Sequence, residues 1–300
     1  MRRRLLRAAL TIPLSLVMSG ALSAQAKTPP ATAKRPPSQR PTAVRSTPGQ
    51  GAELVVVVND RGLEAPEQVD AGLVNVRLFN RSSGSQHVLL LKVERLDRLP
   101  AIVDYLKSGN WNVPWITRMG GPESTPPGGV SSVSMVLEPG RYVIAQLPLT
   151  PSSDGSLELG DVEELAVLKY ANGEEMAATL PAANATVQLY EWNFNINGPL
   201  NAGRRTIRVE NIGQFEHQVW IVRLAPGKGL EQAVKWAELP SGAPPFEGIG
   251  GTTNLARGHS VNITVDLLAG DYALLCVTYN PLSRKLHSKH GMVKAFRVGV

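Results

Sequence analysis

The sequence predicts an all-β protein built from two tandem copies of one β-sandwich, each with a short helical insertion. Three observations carry the prediction. The 300-residue chain repeats itself at a spacing of about 130 residues. Its apolar residues fall in short runs rich in Val, Ile, Leu and Tyr that alternate with period two, the pattern of half-buried strands. Gly, Pro and Asn punctuate those runs, and each copy holds one stretch of helical spacing, residues 99–106 and 230–237.

The repeat sets the domain boundaries at residues 52–171 and 184–300, with a Gly-, Pro- and Ala-rich linker over 172–183. Asp70-Ala71-Gly72 is answered by Asn201-Ala202-Gly203, and Asn80 by Asn211. His87 lines up with His217, and Met119-Gly120-Gly121 with Ile249-Gly250-Gly251. Gly140-Arg141-Tyr142 lines up with Gly270-Asp271-Tyr272. His87 to Gln146 and His217 to Cys276 both span 59 residues, so Gln146 stands opposite Cys276. Residues 53–58 and 186–194 are expected as the first strands of the two copies.

Ahead of the repeat lies a leader. Arg2, Arg3, Arg4 and Arg7 precede an apolar stretch from Ala8 to Leu22, which closes on Ser23-Ala24-Gln25-Ala26. A basic start, a short apolar run and an Ala-x-Ala end read as a signal peptide over 1–26, cleaved near Ala24 or Ala26. The run is shorter than the roughly 20 residues of a membrane span. Residues 27–51 are Pro-rich with almost no large apolar residue, which predicts an extended, disordered spacer. The expected location is periplasmic or secreted, with no membrane span after the signal is removed.

Charge excludes one class of partner. Nine of the 31 Lys and Arg residues lie in residues 1–51, which hold no acidic residue, so the rest carries 22 basic against 25 acidic residues. The basic balance belongs to the leader and tract, and nothing argues for nucleic acid. Cys276 is the single cysteine, so no internal disulfide can form.

The chemistry gathers at the end of the chain. A strand ends at Cys276, a loop carries His287 and His290, and Met292 opens a last strand. Two imidazoles, one thiolate and a distant axial thioether make a type 1 copper site, with soft sulfur suiting Cu(I) and imidazole accepting Cu(II). His217, Cys276, His287 and Met292 supply those donors in order along the chain. His290 is the rival of His287, but one residue between it and Met292 leaves little chain to place both around one ion. Taken singly, Cys276 and Met292 read as core residues and His217 as a turn histidine. The first copy has Gln146 in the thiolate position, which predicts no copper there and a packing or shielding role.

These features resemble the cupredoxin superfamily, in particular exported bacterial proteins of the plastocyanin/azurin type. The likeness rests on Pro244-Pro245-Phe246-Glu247-Gly248-Ile249-Gly250-Gly251, on Gly270-x-Tyr272 to Cys276, and on His287-x4-Met292. It covers residues 52–300, strongly in the second copy and weakly in the degenerate first. The resemblance implies two Greek-key cupredoxin-like sandwiches, one bound copper, and one-electron transfer or copper handling with a redox partner protein in the cell envelope. One departure stands out: ten residues separate Cys276 from His287, more than in typical members. The alternative is a metal-free cupredoxin-fold binding or structural module in the cell envelope. A multicopper enzyme is not expected, because the five histidines (His87, His217, His259, His287, His290) leave too few to build further coppers.

Overall fold

The structure is a computed structural model that describes residues 51–107, 114–147, 160–169 and 178–299. The leader, the Pro-rich tract up to residue 50, the acidic stretch 148–159 and residues 170–177 of the linker region lie outside the described residues. Among those described, no helix is long and apolar enough to cross a membrane.

The first copy contributes β1 (Ala52–Asn59), β2 (Gly62–Glu64), β3 (Gln68–Asp70), β4 (Gly72–Asn80), β5 (His87–Val93), α1 (Ile102–Lys107), β6 (Ile116–Gly120), β7 (Val130–Leu137), β8 (Gly140–Leu147) and β9 (Val162–Leu168). The second contributes β10 (Ala185–Tyr190), β11 (Asn193–Asn197), β12 (Gly203–Asn211), β13 (His217–Leu224), α2 (Leu230–Glu238), β14 (Phe246–Leu255), β15 (Ser260–Leu267), β16 (Gly270–Leu275), β17 (Tyr279–Asn280), β18 (Lys285–Leu286) and β19 (Val293–Val298). The period-two pattern behaves as expected. In β4, Val74, Val76 and Leu78 are buried while Leu73, Asn75, Arg77 and Phe79 are half-buried.

Each copy is a two-layer sandwich with the same strand order. In the first, β7-β4-β1-β2 packs on β6-β5-β8-β9-β3; in the second, β15-β12-β10-β11 packs on β14-β13-β16-β19. The first strand of each copy pairs in parallel with a later one, β1 with β4 and β10 with β12. Tyr142 and Tyr272 repeat one detail. Each buries its ring and donates its hydroxyl to the carbonyl four residues back, Glu138 at 3.0 Å and Leu268 at 2.9 Å. The helices lie over the outer faces. Ile102 and Leu106 pack on Leu89 and Leu91, and Ala233 and Ala237 on Trp220 and Val222.

The copies join edge to edge through equivalent strands. β7 pairs antiparallel with β15, and β6 with β14, so each layer runs unbroken across the chain. The junctions centre on matching residues, Val133 opposite Ile263 in one layer and Pro122 opposite Thr252 in the other. This is the geometry of a twofold interface built within one chain. One hydrophobic core, from Leu54 to Val298, spans both copies.

Two sequence expectations need correction. The 186–194 strand is two strands, β10 and β11, with a reversal at Glu191-Trp192 where Trp192 takes φ 66°. The equal spacing from each histidine also misaligns the copies by one residue. Asn80 donates its side-chain amide to the carbonyls of Gly84 and Thr125, as Asn211 does to Phe215 and Leu255. Gln86 then pairs with Thr125 just as His217 pairs with Leu255. The counterpart of His217 is therefore Gln86, not His87. Six residues run from each asparagine to that position, and the one-residue difference between copies falls in the helical connection.

Ile263 is 1 % exposed at the centre of the seam. Ile263→Ala is expected to lower stability by about 2–5 kcal/mol, while Leu268→Ala at an exposed site changes it by roughly 0.5 kcal/mol or less. Thermal unfolding followed by circular dichroism checks the difference.

Candidate metal centre

Three elements bring the donors together. His217 opens β13 directly after the turn that Asn211 holds by hydrogen bonds to Phe215 and Leu255, at 2.8 and 2.7 Å. Gly213 leaves room in that turn for the groups around His217. A Cβ there would lie 2.7 Å from Glu191 Oε1 and 2.9 Å from His217 Nε2. Cys276 follows β16, and its backbone N–H donates to the carbonyl of Met292 at 3.2 Å. This fixes the thiol at the end of the sandwich, fully buried.

His287 is placed by the long loop, which folds into a small hairpin. β17 pairs with β18, and Asn280 Oδ1 accepts from the N–H groups of Leu282 (2.9 Å) and Ser283 (3.2 Å). Asn-Pro is a turn-forming pair, and an Asn side chain that caps its own turn is a common local solution. Arg284 closes the reversal at φ 56°, its N–H donating to the Asn280 carbonyl at 2.8 Å. His287 N then donates to Thr278 O at 2.8 Å, and Ser288 N to Cys276 O at 2.9 Å. The ten intervening residues thus return the chain to the cysteine. The end of α2 secures the same loop. Glu238 accepts from Ser288 Oγ at 3.2 Å and pairs with Lys289.

The donor atoms converge. His217 Nδ1 and His287 Nδ1 lie 3.1 Å apart, and Cys276 Sγ lies 3.5 Å from His287 Nδ1. One ligand atom from each of the three residues falls within 4.8 Å of the others. Metal–nitrogen bonds near 2.0–2.1 Å and metal–sulfur bonds near 2.3 Å, arranged trigonally, put donor atoms about 3.5–3.7 Å apart. The residues present fit one such ion. Among the described residues this is the one group of three His, Cys, Asp or Glu side chains so arranged.

Electrostatics fit the same reading. Burial lowers the His217 pKa, against the opposing pull of Glu191. Burial, reinforced by the neighbouring His217 and His290 imidazoles, pushes His287 down to about 3. Both rings are therefore neutral and present lone pairs. The outer nitrogen of His217, Nε2, lies 3.5 Å from Glu191 Oε1, close enough for the carboxylate to act on the ring electrostatically though not in a hydrogen bond. Burial opposes ionisation of Glu191, but the backbone N–H groups of Phe215 and Gln214 outweigh it and hold the carboxyl below its usual range. Burial pushes the Cys276 thiol up, so it keeps its proton at neutral pH until a metal displaces it.

Met292 is fully buried and tied into the same backbone knot, its N–H donating to His287 O at 3.1 Å. His290 is elsewhere. Its ring stacks on Trp192 with centroids 4.5 Å apart, and Nε2 meets Ser283 Oγ at 2.7 Å. In the first copy the corrected register puts Gln86 and Gln146 where His217 and Cys276 stand. Those two amides hydrogen-bond to each other at 2.8 Å. His87 faces away from them, paired with the buried Glu123. Sequence reasoning missed Glu191 and Trp192, which a hairpin turn brings to the site, and Glu238 at the far end of a helix. Only Asn280-Pro281 carried a local signal.

No family model matches the sequence, and no curated protein matches it. Several solved structures are similar. Dithionite-reduced auracyanin from Roseiflexus castenholzii is 20% identical over 38% of this chain and 95% of its own, with a TM-score of 0.28. A multicopper oxidase is 11% identical over 86% of this chain and 93% of its own, with a TM-score of 0.24. A copper-containing nitrite reductase from Thermus scotoductus is 10% identical over 86% of this chain and 61% of its own, with a TM-score of 0.22. These TM-scores are low, and the functional reading rests on the donor atoms of the chain itself.

Two outcomes follow from the geometry. Between the depressed histidine pKa values and the raised cysteine pKa, metal uptake displaces one proton, from Cys276. Apparent copper affinity should therefore rise about tenfold per pH unit from mildly acidic to neutral pH, in competition titrations against a chelator. Asn280→Ala removes the cap of the loop and should weaken copper binding about 10- to 100-fold with little change in the far-ultraviolet circular dichroism.

Proposed function

We propose that this chain is an exported copper-binding protein that holds one copper ion in its second copy and works by one-electron transfer or copper handling, without catalysis. The observation that carries this is the convergence of His217 Nδ1, His287 Nδ1 and Cys276 Sγ in a buried pocket. Neutral imidazoles with a buried thiol form a mixed donor set that suits copper in either oxidation state. A copper ion held there supplies a one-electron couple between Cu(I) and Cu(II).

The chain's own residues do the rest. The turn at Asn211 and the hairpin at Asn280 fix the imidazoles before metal arrives. Glu191 acts on His217 electrostatically. Met292, buried beside the knot, would supply a thioether to a bound ion. Full burial of Cys276 keeps water from the thiolate–metal bond. The first copy, with Gln86 and Gln146 in the ligand positions, extends both layers and the core and is assigned a structural role. A redox partner protein in the cell envelope and a periplasmic or secreted location belong to the same proposal.

Copper(II) added to the purified mature protein should produce a thiolate-to-copper absorption band in the visible, at one copper per chain. Cys276→Ser should abolish the band, and His217→Ala and His287→Ala should abolish or bleach it. His290→Ala should keep it. Met292→Leu should keep the band and raise the reduction potential, because the axial donor that favours Cu(II) is lost. A colourless wild-type protein whose Cys276 reacts as readily with copper present as without would overturn the proposal.

A further inference from the structure

The turn between β10 and β11 places a large side chain where the backbone disfavours one. Trp192 is one of three described non-glycine residues with positive φ, at 66°. That region suits glycine, and a bulky residue persists in it only when its surroundings hold it there. What holds Trp192 is a set of four rings. The indole meets the edge of His287 at 4.9 Å between centroids and the edge of His217 at 6.4 Å. It stacks on His290 at 4.5 Å and on Phe215 at 5.7 Å. The preceding residue, Glu191, is the carboxylate beside His217 and accepts from the backbone of Phe215 at 2.9 Å. One hairpin tip therefore touches both imidazole donors and the turn that carries His217.

The result is a covered site. His287 is 2 % exposed and His217 0 %, so neither imidazole presents an edge to solvent, while Trp192 and His290 are half-buried and Phe215 exposed. The equivalent turn of the first copy, between β1 and β2, holds Asp60 and Arg61 with Gly62 at φ 129°. Among the described residues, the strained aromatic occurs only in the copy that has the donor cluster.

We propose that Trp192 is a positioning residue of the metal centre. Its indole locks the two imidazoles in place and, with His290 stacked on its face, closes the site against solvent and metal exchange. The second histidine of His287-x-x-His290 thus serves the cover rather than the ion. This rests on the copper reading for its role, but the cover itself can be tested without metal.

Trp192→Gly suits the test because glycine adopts the native φ without strain and removes every ring contact. In metal-free full-length protein, carbethoxylation of His287, mapped by peptide mass spectrometry, should run several-fold faster in Trp192→Gly than in wild type. Trp192→Phe should restore protection. In copper-loaded protein, loss of copper to excess chelator should accelerate about 10-fold or more in Trp192→Gly, with a smaller acceleration in His290→Ala. The visible band should survive in both. Unchanged His287 labelling in Trp192→Gly, with the thermal midpoint confirming a folded chain, would overturn the inference. So would faster labelling that phenylalanine fails to reverse. If wild type takes up no copper while labelling rises as expected, the copper reading fails and the cover stands.

Discussion

Ten residues separate Cys276 from His287, and the metal centre depends on the backbone hydrogen bonds that cancel that separation. Ser288 N to Cys276 O and His287 N to Thr278 O bring the two ends of the loop together, and Met292 N to His287 O continues the same knot. A flexible loop of that length would place its histidine with a large entropic cost at each binding event. The hairpin of β17 and β18, capped by Asn280, meets that cost during folding instead. Glu238 holds the loop from outside through Ser288 and Lys289, so the helical insertion of the second copy is part of the support of the site.

The same preorganisation extends outward in layers. His217 is fixed by a turn whose centre is Asn211 and in which a side chain at Gly213 would crowd Glu191 and His217. Glu191 and Trp192, neighbours on one hairpin tip, address the far nitrogen of one imidazole and the edges of both. Burial keeps the imidazoles neutral and the thiol protonated, so the donor set itself carries no charge in its apolar setting. A copper ion bound as proposed would displace the thiol proton.

The two copies divide the work. Both carry the Asn-anchored turn and the tyrosine hydroxyl bonded four residues back, features that hold a sandwich together whatever it binds. They differ at the ligand positions. A Gln86–Gln146 hydrogen bond pairs two polar side chains where the second copy gathers two imidazoles and a thiol. The seam through Val133 and Ile263 joins the copies into one core, which covers edge strands that would otherwise be exposed.

The amino-acid sequence by itself made legible the strand content and the donor types, with His217, Cys276, His287 and Met292 in order along the chain. Period-two alternation and the Gly, Pro and Asn punctuation are local properties, and cysteine, histidine and methionine in that order have few other uses together. It also misled over register. Matching His87 to His217 aligned two identical letters, whereas the structure matches the asparagine turns and leaves His87 on the opposite face beside Glu123. A strand side chain changes face with a shift of one residue, so identity of residue type cannot settle register where a pattern of contacts can. What only the tertiary structure decided is the path of the long loop, the place of His290 against Trp192 rather than beside Cys276, and the arrival of Glu191 and Trp192 at the site. Each depends on backbone hydrogen bonds or ring contacts between segments far apart in the chain, and such contacts leave no periodic trace in the sequence.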